Sequence, residues 1–117
     1  MSRGMEQLTY FRASKLSVSG KDLAFLKGLP NLKILELFPI DLTDEDAKQI
    51  KNPELHSVRI DSAYLTIKGV KLFATLPNIR FIEVGRTPSI NESSIRTLAH
   101  EFPGVKIQLF ESPLKSI

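Results

Sequence analysis

The sequence predicts an α/β fold: a right-handed β-α superhelix with a parallel sheet, built from about four repeats and a closing strand. Three observations predict it. A short motif returns along the chain, as LPNL at 29–32, NPEL at 52–55 and LPNI at 76–79. Each copy opens an apolar pattern that alternates like a strand, and a second pattern with helical spacing follows. Units of this kind cannot bury their apolar faces alone, so we expect neighbouring units to stack.

The strands are predicted from the pattern L-x-x-L-x-L, which starts near residues 8, 32, 55 and 79. Its second half alternates with the two-residue period of a strand. The apolar positions are Leu8, Phe11 and Ala13; Leu32, Leu35 and Leu37; Leu55, Val58 and Ile60; and Ile79, Ile82 and Val84. A fifth start at Val105 predicts a closing strand over 105–109, whose register the spacing leaves open and which places Ile107 in the row of Phe81.

A helix is predicted after each strand because an N-cap residue type follows the next apolar anchor. The anchors are Val18, Leu42, Leu65 and Ile90, and the caps are Ser19, Thr43, Thr66 and Asn91. Pairs of apolar residues three apart then mark one helical face: Leu23 and Leu26, Ala47 and Ile50, Val70 and Phe73, Ile95 and Leu98. Pro30, Pro53, Pro77 and Pro103 indicate where the helices end.

The unit starts at 8, 32, 55, 79 and 105 are separated by 24, 23, 24 and 26 residues, lengths found in leucine-rich repeats. Over Leu8 to about Leu109 the chain resembles that family, specifically its helix-bearing, ribonuclease-inhibitor-like type. The resemblance implies a solenoid with a concave sheet. The chain departs from the family where an Asn or Cys bonds the turn, since Leu16, Ile40, Ala63 and Thr87 stand there.

The concave sheet face carries the candidate binding site. Alternation along the strands sends large apolar side chains outward at four positions: Tyr10, Ile34, Phe38 and Phe81. Beside them lies a row of alternating charge: Arg12, Glu36, Arg59 and Glu83. We expect an apolar centre within a charged surround, which is typical of a protein interface. The open alternative is that the tail residues Phe110, Leu114 and Ile117 cover it.

Nothing in the sequence indicates catalysis, and we expect a non-enzymatic adaptor or inhibitor-like protein without cofactor or metal. The chain has no cysteine, and its histidines, His56 and His100, lie on different units. The acidic residues Asp41 and 44–46 are interpreted as helix capping, because a calcium loop needs a turn glycine and a distal glutamate. No glycine-rich phosphate loop occurs.

The expected partner is another protein. Sixteen Lys and Arg against thirteen Asp and Glu give a net charge of +3 without any long basic run, so nucleic acid is not favoured. A basic row at the strand starts favours an acidic protein: Lys33, His56, Arg80 and Lys106.

Residues 1–117 are expected to form a single leucine-rich-repeat domain. No secretory h-region or apolar run long enough to cross a membrane is present, so we expect a cytoplasmic (intracellular) protein without membrane contact. The segment before Leu8 is too short for a capping helix. We therefore expect either homodimers through exposed strand edges or membership of a larger assembly.

A second fold and function stay open. The stretch from Val58 to Phe73 resembles the strand-then-helix turn of anti-sigma-factor antagonist domains, whose functional serine follows an aspartate. That resemblance implies a regulatory phosphoacceptor role for Ser62, next to Asp61. The glycine that the family has soon after its serine is missing, because Gly69 comes too late.

Overall fold

Strands and helices alternate along the chain, and all five strands join one parallel sheet. The computed structural model of the protein describes residues 7–14 and 20–110. The strands are β1 (Tyr10–Ala13), β2 (Ile34–Leu37), β3 (Ser57–Ile60), β4 (Phe81–Val84) and β5 (Lys106–Leu109), and the helices are α1 (Gly20–Lys27), α2 (Asp44–Ala47), α3 (Ile67–Ala74) and α4 (Glu92–Glu101). The strand order is β1-β2-β3-β4-β5. The predicted α/β class with a parallel sheet is confirmed.

The register across the first four strands is the one that the repeated pattern predicts. Tyr10 pairs with Ile34, Ile34 with Ser57, and Ser57 with Phe81. The residues two positions later pair in the same way, from Arg12 to Glu83. In-register pairing of this kind turns positions of the sequence pattern into straight rows across the sheet.

The predicted row for the closing strand is wrong by one residue. Phe81 pairs with Lys106, and Ile107 pairs with Ile82 and is only 7% exposed. The apolar residues of β5 alternate because they face the core, as Leu35 and Leu37 do in β2, so Lys106 takes the outward place given to Ile107. Lys106 therefore lies one position further along than the other members of the basic row.

The core lies between one face of the sheet and the helices. The fully buried side chains include Leu32 and Leu55 at the pattern starts, Leu35, Val58 and Ile82 in the strands, and Val70 and Phe73 in α3. The three-residue pairs predicted for the helices are buried throughout, from Leu23 and Leu26 to Ile95 and Leu98. Within residues 7–14 and 20–110, no helix covers the opposite face of the sheet.

Three of the four predicted N-caps are confirmed. The side chains of Thr43, Thr66 and Asn91 accept hydrogen bonds from Asp46 N, Lys68 N and Ser94 N. Asn91 follows β4 by seven residues, whereas Thr43 and Thr66 follow their strands by six, so the loop between strand and helix is one residue longer in the fourth unit. The predicted cap Ser19, together with Leu16 and Val18, lies outside the described residues.

Buried polar side chains form hydrogen bonds between successive units. The Ser62 hydroxyl donates to Leu42 O at 2.7 Å and accepts from Leu42 N at 3.0 Å. At the other end of the units, buried Asn52 donates to Leu26 O and Leu29 O at 2.8 and 3.0 Å. These bonds satisfy buried backbone groups and fix each unit against the one before it.

No helix within residues 20–110 is long and apolar enough to cross a lipid bilayer.

Candidate binding face

The open face of the sheet carries two rows of side chains, which we name by their chemistry. The apolar row contains Tyr10, Ile34, Ser57, Phe81 and Lys106, and the charged row contains Arg12, Glu36, Arg59, Glu83 and Gln108. Phe38 and Phe110 follow the ends of β2 and β5 and continue the backbone pairing of the sheet. Phe38 N donates to Ala13 O, and Phe110 N donates to Val84 O. All eight predicted site residues therefore lie on one face of the sheet.

Arg59 occupies the centre of the charged row and bonds to both neighbouring carboxylates. Its Nε donates to Glu83 Oε1 at 2.8 Å, and its terminal nitrogen donates to Glu36 Oε2 at 3.1 Å. The hydrogen bond to Glu83 raises the pKa of Arg59 above its ordinary value, although burial acts in the opposite direction. The guanidinium therefore stays charged and holds the two carboxylates in place.

The Glu83 side chain is more buried than is expected of a charged residue at the border of a protein interface. Its side chain is 9% exposed, and its second oxygen accepts from Gln108 Nε2 at 2.9 Å. Arg12 at the other end of the row is exposed and enters none of the ion pairs of the described residues. The row thus has a rigid, internally neutralised centre and an accessible cation at its β1 end.

Two phenylalanines meet above the charged row. The rings of Phe38 and Phe110 lie 5.6 Å apart in an edge-to-face arrangement, across the ends of β3 and β4. The guanidinium of Arg59 lies 5.8 Å from the Phe38 ring and 5.7 Å from the Phe110 ring, and that of Arg12 lies 5.2 Å from Phe38. Ring contacts and cation–π attraction together order this cluster.

Phe110, which the open alternative places in a covering tail, belongs to the face itself. With the corrected register of β5, Phe110 stands four residues after Lys106, as Phe38 stands four residues after Ile34. The equivalence could have been read from the sequence once the closing strand was aligned on its core-facing residues. Leu114 and Ile117, the other two residues of the expected cover, lie outside the described residues.

The four predicted apolar anchors do not all adjoin one another. Tyr10 is 47% exposed and adjoins the half-buried Ile34, but Ser57 separates Ile34 from Phe81. Phe38 lies at the other end of the strands, with Phe110. The Tyr10 hydroxyl donates to Glu36 Oε1 at 2.7 Å, and this hydrogen bond raises the pKa of Tyr10.

Ser62, the residue of the alternative function, is buried. It is 3% exposed, and besides its two bonds to Leu42 its oxygen accepts from Tyr64 N at 3.2 Å. A hydroxyl that bonds three backbone groups in the protein interior has no free direction toward an incoming phosphoryl group. The geometry therefore gives Ser62 a structural role in the turn.

The acidic residues at the start of α2 bond to helix ends. Asp46 forms a reciprocal capping box with Thr43, and the Asp44 carboxylate accepts from the backbone and hydroxyl of Thr66, the cap of the next helix. Asp44 thereby connects two successive units. Within the described ranges, no group of three or more His, Asp or Glu side chains is placed to hold a metal ion.

No family model matches the chain, and neither a curated protein nor a solved structure is significantly similar to it.

A cleft of about 460 Å³ lies at the β5 end of the sheet. Its apolar wall includes Ile95 of α4 and Ile107 of β5, and its charged border includes Arg86 and Arg96. In the part of the chain that the structure describes, β5 pairs on one side alone. The last strand and the end of the core are therefore accessible there.

Proposed function

We propose that the chain is a leucine-rich-repeat solenoid that binds another protein through its concave sheet face, as a non-enzymatic adaptor or inhibitor-like module. The observation that carries this proposal is the asymmetry of the sheet. Helices bury one face, whereas the other presents exposed Tyr10, half-buried Ile34, Phe38 and Phe81, and an ordered row of charges. An apolar surface bordered by polar groups is typical of a protein interface.

Preorganisation supports this proposal over a merely solvated surface. Arg59, Glu36 and Glu83 already satisfy one another, so their ordering requires little additional entropy when a partner binds. Rigid aromatic groups and arginine are also the residue types most often found at energetic centres of interfaces. Here Phe38 and Phe110 enclose Arg59.

The test compares outward and inward substitutions after partners have been captured and identified by mass spectrometry. Phe81→Ala and Ile34→Ala should each weaken the isolated complex at least about tenfold, the loss expected of central interface residues. Their thermal stability should change much less than that of Leu35→Ala, which removes a fully buried side chain and should cost roughly 2–5 kcal/mol.

Tyr64→Ala is the matched control, because Tyr64 is 60% exposed and lies in the loop after β3 rather than on the sheet face. It should leave the complex unchanged. If Tyr64→Ala weakens capture as strongly as Phe81→Ala does, or if Phe81→Ala unfolds as readily as Leu35→Ala, binding by the open face is refuted.

A phosphoacceptor function through Ser62 is the weaker proposal, because phosphorylation would require three hydrogen bonds to break and the turn to open. The proposed binding by the open face does not depend on phosphorylation of Ser62.

A further inference from the structure

A line of basic side chains borders the amino-terminal end of the sheet; we call Lys33, His56, Arg80 and Lys106 the rim. Backbone hydrogen bonds fix the spacing of its members. His56 N donates to Lys33 O at 2.9 Å, Arg80 N to His56 O at 2.8 Å, and Lys106 N to Arg80 O at 2.9 Å. The backbones of successive members therefore lie on neighbouring strands, about 4.8 Å apart.

The rim differs from the charged row, in which Arg59 pairs with two carboxylates. Lys33, Arg80 and Lys106 are exposed and His56 is half-buried. Among residues 7–14 and 20–110, none of the ion pairs includes a member of the rim. Like charges on neighbouring strands repel one another, so an anionic partner is favoured at this edge.

Charge is distributed unevenly along the strand direction. The rim lies where the strands begin, whereas Asp41, Asp61 and the acidic first turn of α2 (Asp44–Asp46) lie beyond the strand ends. An acidic chain that approaches the open face is thus attracted toward the rim.

The apolar row directly beside the rim contains a notch, which we define as the space over Ser57 between Ile34 and Phe81. Ile34 and Phe81 are each one strand away from Ser57 and are half-buried. The Cα atoms of Ile34 and Phe81 are two strand spacings apart, about 10 Å, and only the small serine side chain stands between them. One apolar side chain of a partner can enter between them.

From the rim and the notch together, we propose that the open face binds an acidic protein segment that carries an apolar side chain. Carboxylates of the segment pair with Lys33, Arg80 and Lys106, while the apolar side chain sits over Ser57. This inference rests on the proposed protein-binding function and adds the chemistry and the position of the bound segment.

Nucleic acid fits the rim less well. Single-stranded nucleic acid is bound by aromatic platforms within a long basic groove, whereas the rim contains no Phe, Tyr or Trp and its single ring, His56, is half-buried. The notch also selects for an apolar side chain, which a polynucleotide does not carry.

The test uses a fluorescent synthetic peptide of alternating glutamate and leucine, with fluorescence anisotropy as the readout. Lys33→Glu combined with Arg80→Glu should weaken binding about tenfold, and Ser57→Leu, which fills the notch, should also weaken it. The matched control is Lys21→Glu combined with Lys68→Glu, which changes the net charge equally at exposed positions on α1 and α3. The control should bind like the unaltered protein.

Two further probes test the need for carboxylates and the class of the partner: a glutamine–leucine peptide, which lacks charge, and a thymidine oligonucleotide. Both should bind at least about tenfold more weakly than the acidic peptide. Equal loss in the rim and control variants refutes the inference, and so does rim-dependent binding of the oligonucleotide that is tighter than that of the peptide.

Capture of cellular partners distinguishes a failure of this inference from a failure of the proposed protein-binding function. If Phe38→Ala and Ile34→Ala abolish capture of cellular partners while the rim variant does not, protein binding by the face stands and the acidic segment is refuted. If none of these variants affects capture, both proposals are refuted.

Discussion

Arg59 connects both carboxylates of the charged row to both rings above it. Arg59→Met keeps the stem but removes the charge, and it leaves Glu83 bonded to Gln108 alone. We expect a loss of about 1–2 kcal/mol in the free energy of unfolding, because the Glu83 side chain is 9% exposed while solvent screens the Arg59 side chain, which is 38% exposed. Urea denaturation measures this loss. In a Glu83→Gln background, Arg59→Met should lower the free energy of unfolding clearly less. An equal loss in both backgrounds would contradict the ion pair between Arg59 and Glu83.

Ser62 allows a second test at the residue scale, and this test also decides its role. Ser62→Ala deprives Leu42 N and Leu42 O of their partner in the protein interior, so we expect a loss of roughly 1–3 kcal/mol. Ser62→Asp should destabilise further by placing a carboxylate in the same buried space. Ser93→Ala, at an exposed position of α4, is the control and should be nearly neutral. A Ser62→Asp variant as stable as the unaltered protein would restore the phosphoacceptor hypothesis.

At the scale of the elements, Gly69 of α3 lies so close to Asp44 of α2 and to Leu65 that a side chain there must displace them. A Cβ at Gly69 would overlap Asp44 Oδ1 and Leu65 Cδ1. Gly→Ala in a helix usually stabilises by about 1 kcal/mol, but here we expect a loss of about 1–3 kcal/mol from overpacking and from a displaced Asp44. Thermal denaturation should show a lower midpoint for Gly69→Ala and none of that loss for Gly104→Ala, whose Cβ meets nothing within 4 Å. A raised midpoint for Gly69→Ala would contradict this packing.

Some features of the strands and loops were predictable from the sequence, and others were not. Strands β1 to β4 were predictable because each apolar pattern both forms the strand and supplies the core, as at Leu35 and Leu37. The register of β5 was missed because alternating Val105, Ile107 and Leu109 lack the L-x-x-L spacing, and Phe110 was missed with it. The bonds of Ser62 and Asp44 join turns 20 and 22 residues apart, so they depend on how units stack, which local pattern does not encode.

At the scale of the whole molecule, we expect association through the two ends of the sheet. In the described residues β1 and β5 each pair on one side, and the side chains of Phe11 and Leu109 are half-buried there, unlike their fully buried counterparts in β2 and β3. Unpaired edges favour additional strand pairing. We expect light scattering to show a mass that rises with concentration. A strictly monomeric profile at high concentration, with β1 amides protected from hydrogen exchange, would contradict edge-mediated association.

The charged row also restricts how this molecule can change in length. Arginine and glutamate alternate from strand to strand, so the row repeats every two units rather than every one. Deleting the second β-α unit alone would place Arg12 beside Arg59, and deleting the third alone would place Glu36 beside Glu83. Adjacent like charges are destabilising. Deleting or duplicating two successive units preserves the alternation. For electrostatic reasons alone, insertions and deletions in this chain should therefore be tolerated in even numbers of units.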